Sequence, residues 1–456
     1  MMSKLSEVFN DCMDFQKRSF CEDHLQVAYL STLIGNDELV RELLHPLSKL
    51  EERDILNLLT TPPFQSAVSL DECIKGVLEG KAALCYKERG FLIDIHHVEG
   101  RSIQESSIEG VISGPHDGFV ENITQNISLI RNRVKSEHLK TFKLTVGSLT
   151  KTDVVLVYLD DIVNQNLLED IKKKLQAIRI KAIYGTPMIT QLIEENPGSI
   201  FPQFVMTERP DSSCSQIVQG RIVCLVDGSP SAFSLPTSFF EFFSSPEDYY
   251  QRWLVGSSLR LFRFLGLFIC LVFTPLYIAV TTFHYEIIPF NMLLNLTESR
   301  RKVPFPPLLE ALIMELTIEM LKEAGGRMPA KIGQTIGIVG GIVIGQAAVQ
   351  AGITSNILII SVAVSAIASF MIPNFIMSNS VRFLRFLLLF LAGFTGIYGI
   401  VMGIGLIIAH LASISNMGTS YLDPVAPMKF REWLDTFIRG PIQTLKNEPT
   451  QPKENK

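Results

Sequence analysis

The residues whose types and spacing invite chemistry lie mostly in apolar surroundings. Gly333, Gly337, Gly341 and Gly345 recur at every fourth position, so one face of a helix there is bare backbone. In lipid, where helices associate through van der Waals contact, such a face lets a second helix approach closely, from the same subunit or another. Ser361, Ser365 and Ser369 repeat the spacing behind Thr354, Ser355 and Asn356. Two readings stand for this stripe. Its hydroxyls bond their own i−4 carbonyls or a neighbouring helix, or several subunits each contribute a stripe and together line a water-filled path. Upstream, a helical pattern places Glu315, Glu319, Lys322 and Glu323 on one face and Leu309, Ile313, Leu316, Thr317 and Met320 on the other. Glu310 falls on the apolar side, either as a first-turn carboxylate that suits the helix dipole or, with Glu315 and Glu319, as a candidate ion or coupling site.

Enzyme motifs come out negative. Gly76 to Ala82 resembles a phosphate loop but lacks its spacing and the Ser or Thr after Lys81. No GxGxxG follows a strand, and HExxH, GxSxG and the kinase set are missing. His96 and His97 are neighbours in a predicted strand, so they point to opposite faces and do not share a metal. Asp160 and Asp161 at a strand end either cap the next helix or hold Mg2+ with Asp94; capping is the commoner use. No catalytic residue, cofactor or metal centre is expected.

The elements that must position these residues follow from where the charge is. The chain has 456 residues, 47% hydrophobic, with 41 Lys and Arg against 46 Asp and Glu. Only Arg382 and Arg385 of all these charges fall between residues 332 and 422, and Ile332 to Val381 is 50 residues without an ionised side chain. About 20 apolar residues cross a bilayer, so a purely soluble fold is excluded. The net charge of −5 offers no electrostatic footprint for nucleic acid. Seven cysteines without a CxxC pair suggest neither a disulfide framework nor zinc, and a reducing cytosolic face fits them best. The opening MMSKLSEVFNDCMDFQ has no apolar core before its charges, which argues against a cleavable signal peptide.

Residues 1–250 read as a soluble α/β or α+β region. Leu39, Leu43, Leu44 and Leu47 carry helical periodicity. LCYKERGFLIDIHHV (84–98) reads as a strand pair turning at Arg89-Gly90. TDVVLVYLDDI (152–162) reads as a strand buried on both faces, followed by a helix over NQNLLEDIKKKLQAI. RIVCLVDGSPSAFSLP (221–236) reads as two strands around Asp227-Gly228, the second stopped by Pro236. A soft division near residues 101–115 separates a 1–100 subdomain, helical and mixed, from a 101–250 α/β subdomain.

A membrane domain over 259–415 follows, all helical, with four spans near 264–285, 332–350, 357–377 and 386–411. Arg252, Arg260 and Arg263 before the first span put the N-terminal region in the cytoplasm, and four spans return the 416–456 tail to the same side. Arg382 and Arg385 run against that rule, because their loop then lies outside; a further crossing within 287–325 would reverse this. The run Ile287 to Leu296 contains Pro289 and is too short to span, so it suits a re-entrant or interfacial piece. Pro306-Pro307 opens and Gly325-Gly326 closes an amphipathic helix expected to lie on a surface.

Several blocks carry a family resemblance. GPHDGFVENITQNISLIRNRVK (114–135), LTVGSLTKTDVVLVYLDDI (144–162), VDGSP (226–230), SPEDYYQRW (245–253) and the long stretch VPFPPLLEALIMELTIEMLKEAG with IGQTIGIVGGIVIGQAAVQAGI (303–353) resemble the A subunit of the GerA-type spore germinant receptors. The resemblance covers about residues 85–440 in matching order; residues 1–80 match loosely, and His116-Asp117 departs from the family's usual pair. It implies a protein of the spore inner membrane that works beside a permease-like B subunit and a lipoprotein C subunit. It further implies a homo-oligomer that conducts ions when a nutrient binds, with no catalytic residues. Two other classes stay open: a secondary transporter, which needs broken helices in an inverted repeat that the sequence does not display, and a non-conducting scaffold.

Overall fold

The computed structural model describes residues 1–20, 24–48, 55–87, 89–95, 109–111, 113–430 and 433–441. Its soluble half contains two lobes, each built on a five-stranded sheet. In the first, helix α1 (Met2–Val8) precedes β1 (Phe15–Phe20), β2 (Leu25–Leu30), β3 (Gln65–Ala67), helix α2 (Leu70–Leu78), β4 (Lys81–Tyr86) and β5 (Arg89–Asp94). The order is β1-β2-β4-β5-β3, antiparallel throughout. Strand period 2 sends Val27 and Tyr29 to one face and Ala28 and Leu30 to the other, and each face has its own buried core. Leu39, Leu43 and Leu47 cover the first face as expected. The tight turn between β4 and β5 sits at Lys87, with φ 45°, and not at Arg89-Gly90; those two residues continue the ladder opposite Tyr86 and Cys85.

The second lobe runs through α3 (Ile123–Arg133), β6 (Leu139–Val146), β7 (Thr152–Leu159), α4 (Gln165–Ala177), α5 (Thr186–Ile193), β8 (Val205–Thr207), α6 (Pro210–Val218), β9 (Ile222–Val226) and β10 (Ala232–Leu235). Its order is β6-β7-β9-β10-β8, again antiparallel, so this half is α+β. The apolar run of β7 is explained by helices on both faces: Val154 and Leu156 pack toward α4, Val155 and Val157 toward α3 and α6. β9 and β10 join around Asp227-Gly228, where Gly228 takes φ +77°, and β10 stops before Pro236 as read from the sequence.

A buried ion pair joins the lobes. Asp14, just before β1, accepts from Arg131 Nε and Nη2 on α3, from Thr32 at 2.7 Å and from Thr141 at 2.9 Å. Met13 N donates to Thr141 O at 2.9 Å beside it. Burial alone raises the Asp14 carboxyl, but the Arg131 charge and these hydrogen bonds outweigh it and hold the group below the usual range.

The helical half consists of α7 (Trp253–Thr282), α8 (Phe290–Arg300), α9 (Pro307–Gly326), α10 (Ala330–Gln350), α11 (Asn356–Ser369), α12 (Phe375–Thr395) and α13 (Ile397–Ser413). Among the described residues two of them, α7 and α12, are long and apolar enough to cross a membrane. The first expected span lies within α7 but ends at Thr282, and the second lies in α10. The third and fourth differ from the sequence reading. α11 stops at Ser369, so 357–377 is one short helix, a turn and the start of α12. The 386–411 run is divided at Gly396, whose φ of +66° reverses the chain. The two helices fold back on each other, Gly399 against Leu391 and Gly403 against Leu388. Hydropathy cannot register that break, because the turn itself is apolar.

Contacts fix how the helices run. Tyr277 of α7 lies beside Ser355, Gly266 beside Met371, and His284 beside Gly396. Hence α7 and α12 run parallel, α11 and α13 run against them, and Gly396 sits at the end far from the soluble lobes. After α13 the chain returns to the second lobe. Asn416 Nδ2 donates to Thr237 O at 2.9 Å, Phe239 N donates to Tyr421 O at 2.7 Å, and Met417 enters the lobe core. The soluble lobes and this strap are therefore on one side of the helices.

Candidate functional site

Helix α9 is where sequence and structure disagree most usefully. Its bounds are as read, Pro307 to Gly326, but its faces are reversed: Glu315 is fully buried, while Leu309, Leu316 and Met320 are 42%, 55% and 58% exposed. The reason is α12. Arg385 stands at the middle of that 21-residue helix, is fully buried, and lies 2.7 Å from Glu315 and 3.3 Å from Glu319. Arg382 pairs with Glu319 at 2.8 Å, and Lys322 donates to Ser369 at 2.9 Å. Glu315 and Glu319 of α9 turn toward these arginines, Glu323 stays exposed and pairs with Arg327, and Leu309, Leu316 and Met320 turn out.

Glu310 is buried at the opposite end of α9. One carboxylate oxygen accepts from Thr354 at 3.1 Å and from the Ser355 backbone N–H; the other faces Arg300 of α8 at 3.9 Å. Tyr277 and Ser355 hydroxyls pair at 3.1 Å beside it. Glu310 thus holds the turn between α10 and α11, a role invisible locally because Thr354 and Ser355 are more than forty residues away.

The serine stripe faces the chain's own interior. Ser361, Ser365 and Ser369 are buried, with Ser365 paired to Thr274 of α7 at 2.9 Å, whereas Ile360 and Ile367 on the other face of α11 are 60% and 65% exposed. A stripe open to a lumen between subunits is not the arrangement present. Of the glycine face, a Cβ on Gly333 would meet Gly325 O at 2.6 Å, so Gly333 permits the tight turn from α9 to α10. Gly340, not singled out above, takes Leu321 in the same hairpin. Gly341 and Gly345 would meet nothing within 4 Å, and the surroundings of Gly337 lie outside the described residues.

A second cluster ties α7 to the soluble half. Fully buried Asp248 binds Arg260 at 3.2 Å and Arg263 at 2.7 Å, and Arg439 of the tail bonds the carbonyls of Gln251 and Tyr249. Of the arginines read as membrane-flanking charges, Arg260 and Arg263 are also structural partners of Asp248. Tyr250 donates to Asp211 at 2.6 Å; burial raises that carboxyl, but hydrogen bonds from Arg209 and Tyr250 outweigh it and hold the group below the usual range.

The remaining motifs stay structural. Gly76 lies inside α2 against Leu92, so no phosphate loop exists there. Asn164 caps α4, and Asp160 merely accepts from Gln165. Among the described residues no group of three His, Cys, Asp or Glu could hold a metal; His96 and His97 lie outside them. The missed residues are Arg300, Arg382, Arg385 and Asp248. A charge near the centre of an apolar run was the available signal for the α12 pair.

These features define a two-part protein in which a double-sheet soluble region is strapped to a helical half with a charged interior and an apolar exterior. The family model for the Bacillus/Clostridium GerA spore germination protein matches residues 3–451. Similar proteins include spore germination protein GerQA of Bacillus cereus, 39% identical over 93% of this chain and 86% of that one. Spore germination protein A1 of Bacillus subtilis (strain 168) is 36% identical over 94% and 87%, and spore germination protein KA of the same strain is 38% identical over 92% and 79%. A solved structure, the N-terminal domain of the A subunit of the Bacillus megaterium spore germinant receptor GerK3, aligns with a TM-score of 0.40 at 23% identity, covering 52% of this chain and 94% of that one. The chain belongs to the GerA family of spore germination proteins.

Proposed function

We propose that the chain is the A subunit of a nutrient germinant receptor in the spore inner membrane. In this reading its copies assemble, beside a permease-like B subunit and a lipoprotein C subunit, into a channel that opens on nutrient binding and releases cations. One observation carries the reading: ionisable side chains are buried at mid-helix in a bundle whose outer faces are apolar, and charges held within a membrane mark ion or proton pathways. The soluble lobes and the strap share one side, taken as cytoplasmic, and serve assembly and coupling. The exposed backbone at Gly341 and Gly345 supports a contact between copies.

Purified chain in liposomes, alone and with its partners, should pass potassium; no ion flux in any combination would leave a scaffold. Gly341→Leu should abolish assembly and germinant response in spores while the soluble lobes stay folded. Spores that respond fully with Gly341→Leu would sink the packing claim.

A further inference from the structure

Beyond the strap the chain returns to the start of α7 and leaves apolar side chains exposed there. Polar bonds join the two: Arg260 donates to the Asp435 carbonyl, Tyr249 donates to the Asp435 carboxylate at 2.9 Å, and Ser257 donates to Arg439 O at 2.9 Å. A file of aromatic rings then runs outward from α7. Phe437 lies 5.2 Å from Phe264, Trp433 lies 5.7 Å from Phe437, and Phe430 lies 5.1 Å from Trp433. At its tip Phe430 is 68% exposed, and Met428 beside it is 61% exposed.

Hydrogen bonds keep these two side chains out of the protein's own core. The Lys429 backbone N–H and Trp433 Nε1 both donate to Pro424 O, at 2.9 and 3.2 Å, and Lys429 Nζ pairs with Asp423 at 2.7 Å. The turn over 424–430 is closed at its base, with Met428 and Phe430 outside it.

The level at which the ring file starts decides what covers its tip. Arg260 and Arg263 are the last charges of α7, and no Lys, Arg, Asp or Glu occurs from Phe264 to Tyr285. In a helix long and apolar enough to cross a membrane, the edge of the hydrocarbon therefore falls at Phe264, where Phe437 packs. Leu261, Phe262 and Leu265 are exposed at that level, and the apolar tip continues their face. Tryptophan, apolar in its body and polar at its N–H, is a residue type that collects at the headgroup level.

We propose that Met428 and Phe430, with Trp433 beside them, anchor this part of the tail in the lobe-side membrane interface, among lipid headgroups and the upper acyl chains. The proposal rests on the membrane reading above. Segments of this kind bury their apolar side about 5–10 Å into the boundary between headgroups and acyl chains, so the lipid surface fixes the height at which the tail meets Arg260 and Tyr249.

The chain's two tryptophans, Trp253 and Trp433, make the test direct. Full-length Trp253→Phe protein keeps Trp433 as its single tryptophan and is placed in phosphatidylcholine and phosphatidylglycerol vesicles brominated near the headgroup or near the acyl chain end. Trp433 emission should be lost most with the shallow bromines, and Phe430→Asp should reduce that loss while opening Trp433 to soluble acrylamide. Quenching by acrylamide alone puts Trp433 in water, and quenching by none of the three puts it under protein; either result overturns the proposal. Strongest loss with the deep bromines, or no effect of Phe430→Asp, overturns it as well. A protein with Trp253→Phe, Trp433→Phe and Phe383→Trp, the last on the exposed face of α12, separates the two readings. If this reporter also escapes the bromines, the membrane reading has failed; if it is quenched and Trp433 is not, only the anchor has.

Discussion

Two of the buried ion pairs in this molecule are built differently. Asp14 and Arg131 join the soluble lobes with every Asp14 oxygen occupied, by two guanidinium nitrogens and two threonine hydroxyls. Glu315 and Arg385 join α9 to α12 at 2.7 Å, with Arg385 Nε and Nη1 left without a hydrogen bond. A charge removed from water is repaid only when geometry is good and the remaining hydrogen bonds are made. The first pair meets that condition and acts as a clamp. The second does not, which suits an element that must rearrange.

The contrast is sharpest under mutation. Arg131→Met strands Asp14 in the lobe interface and should cost about 3–5 kcal/mol, seen as a large fall in the thermal midpoint of the full chain in detergent; a near-unchanged midpoint would dissolve the clamp. Glu315→Gln should cost only about 1 kcal/mol, because the amide keeps an oxygen to accept and Arg385 keeps Glu319. A loss equal to that of Arg131→Met would erase the distinction between the pairs. Acid gives the finest test. Asp14 is lowered in the folded state, so its contribution is fully present above the ordinary aspartate value of about 3.9 and is lost as pH falls through its lower folded value. Asp14→Asn should flatten that part of the pH profile of the melt, and an identical slope with and without the carboxylate would assign acid sensitivity elsewhere.

Much of the fold was legible. Period and burial marked β7, β9 and β10, Asp227-Gly228 marked their turn, and the proline and glycine pairs gave the bounds of α9. The candidate site was legible as residues but not as an arrangement. Glu310, Glu315 and Glu319 and the three serines were visible as patterns. Their partners were not, since Arg385 lies seventy residues from Glu315, and Ser365 lies even farther from Thr274. Arg382 and Arg385 looked like loop charges because a helix beginning at Phe375 gives no local sign that it runs through them.

By itself the sequence determined the division of the chain into a charged half and a nearly uncharged one, and which residues share a helical face. Those properties depend on composition and on the 3.6-residue period, both local. Only the tertiary structure decided which face points inward. Arg385 has no oppositely charged partner within its own helix and is fully buried, so Glu315 and Glu319 of α9 turn toward it, and Gly396 reverses an apolar run that hydropathy reads as one span. A side chain's direction is settled by what is packed against it, and here those groups come from distant parts of the chain.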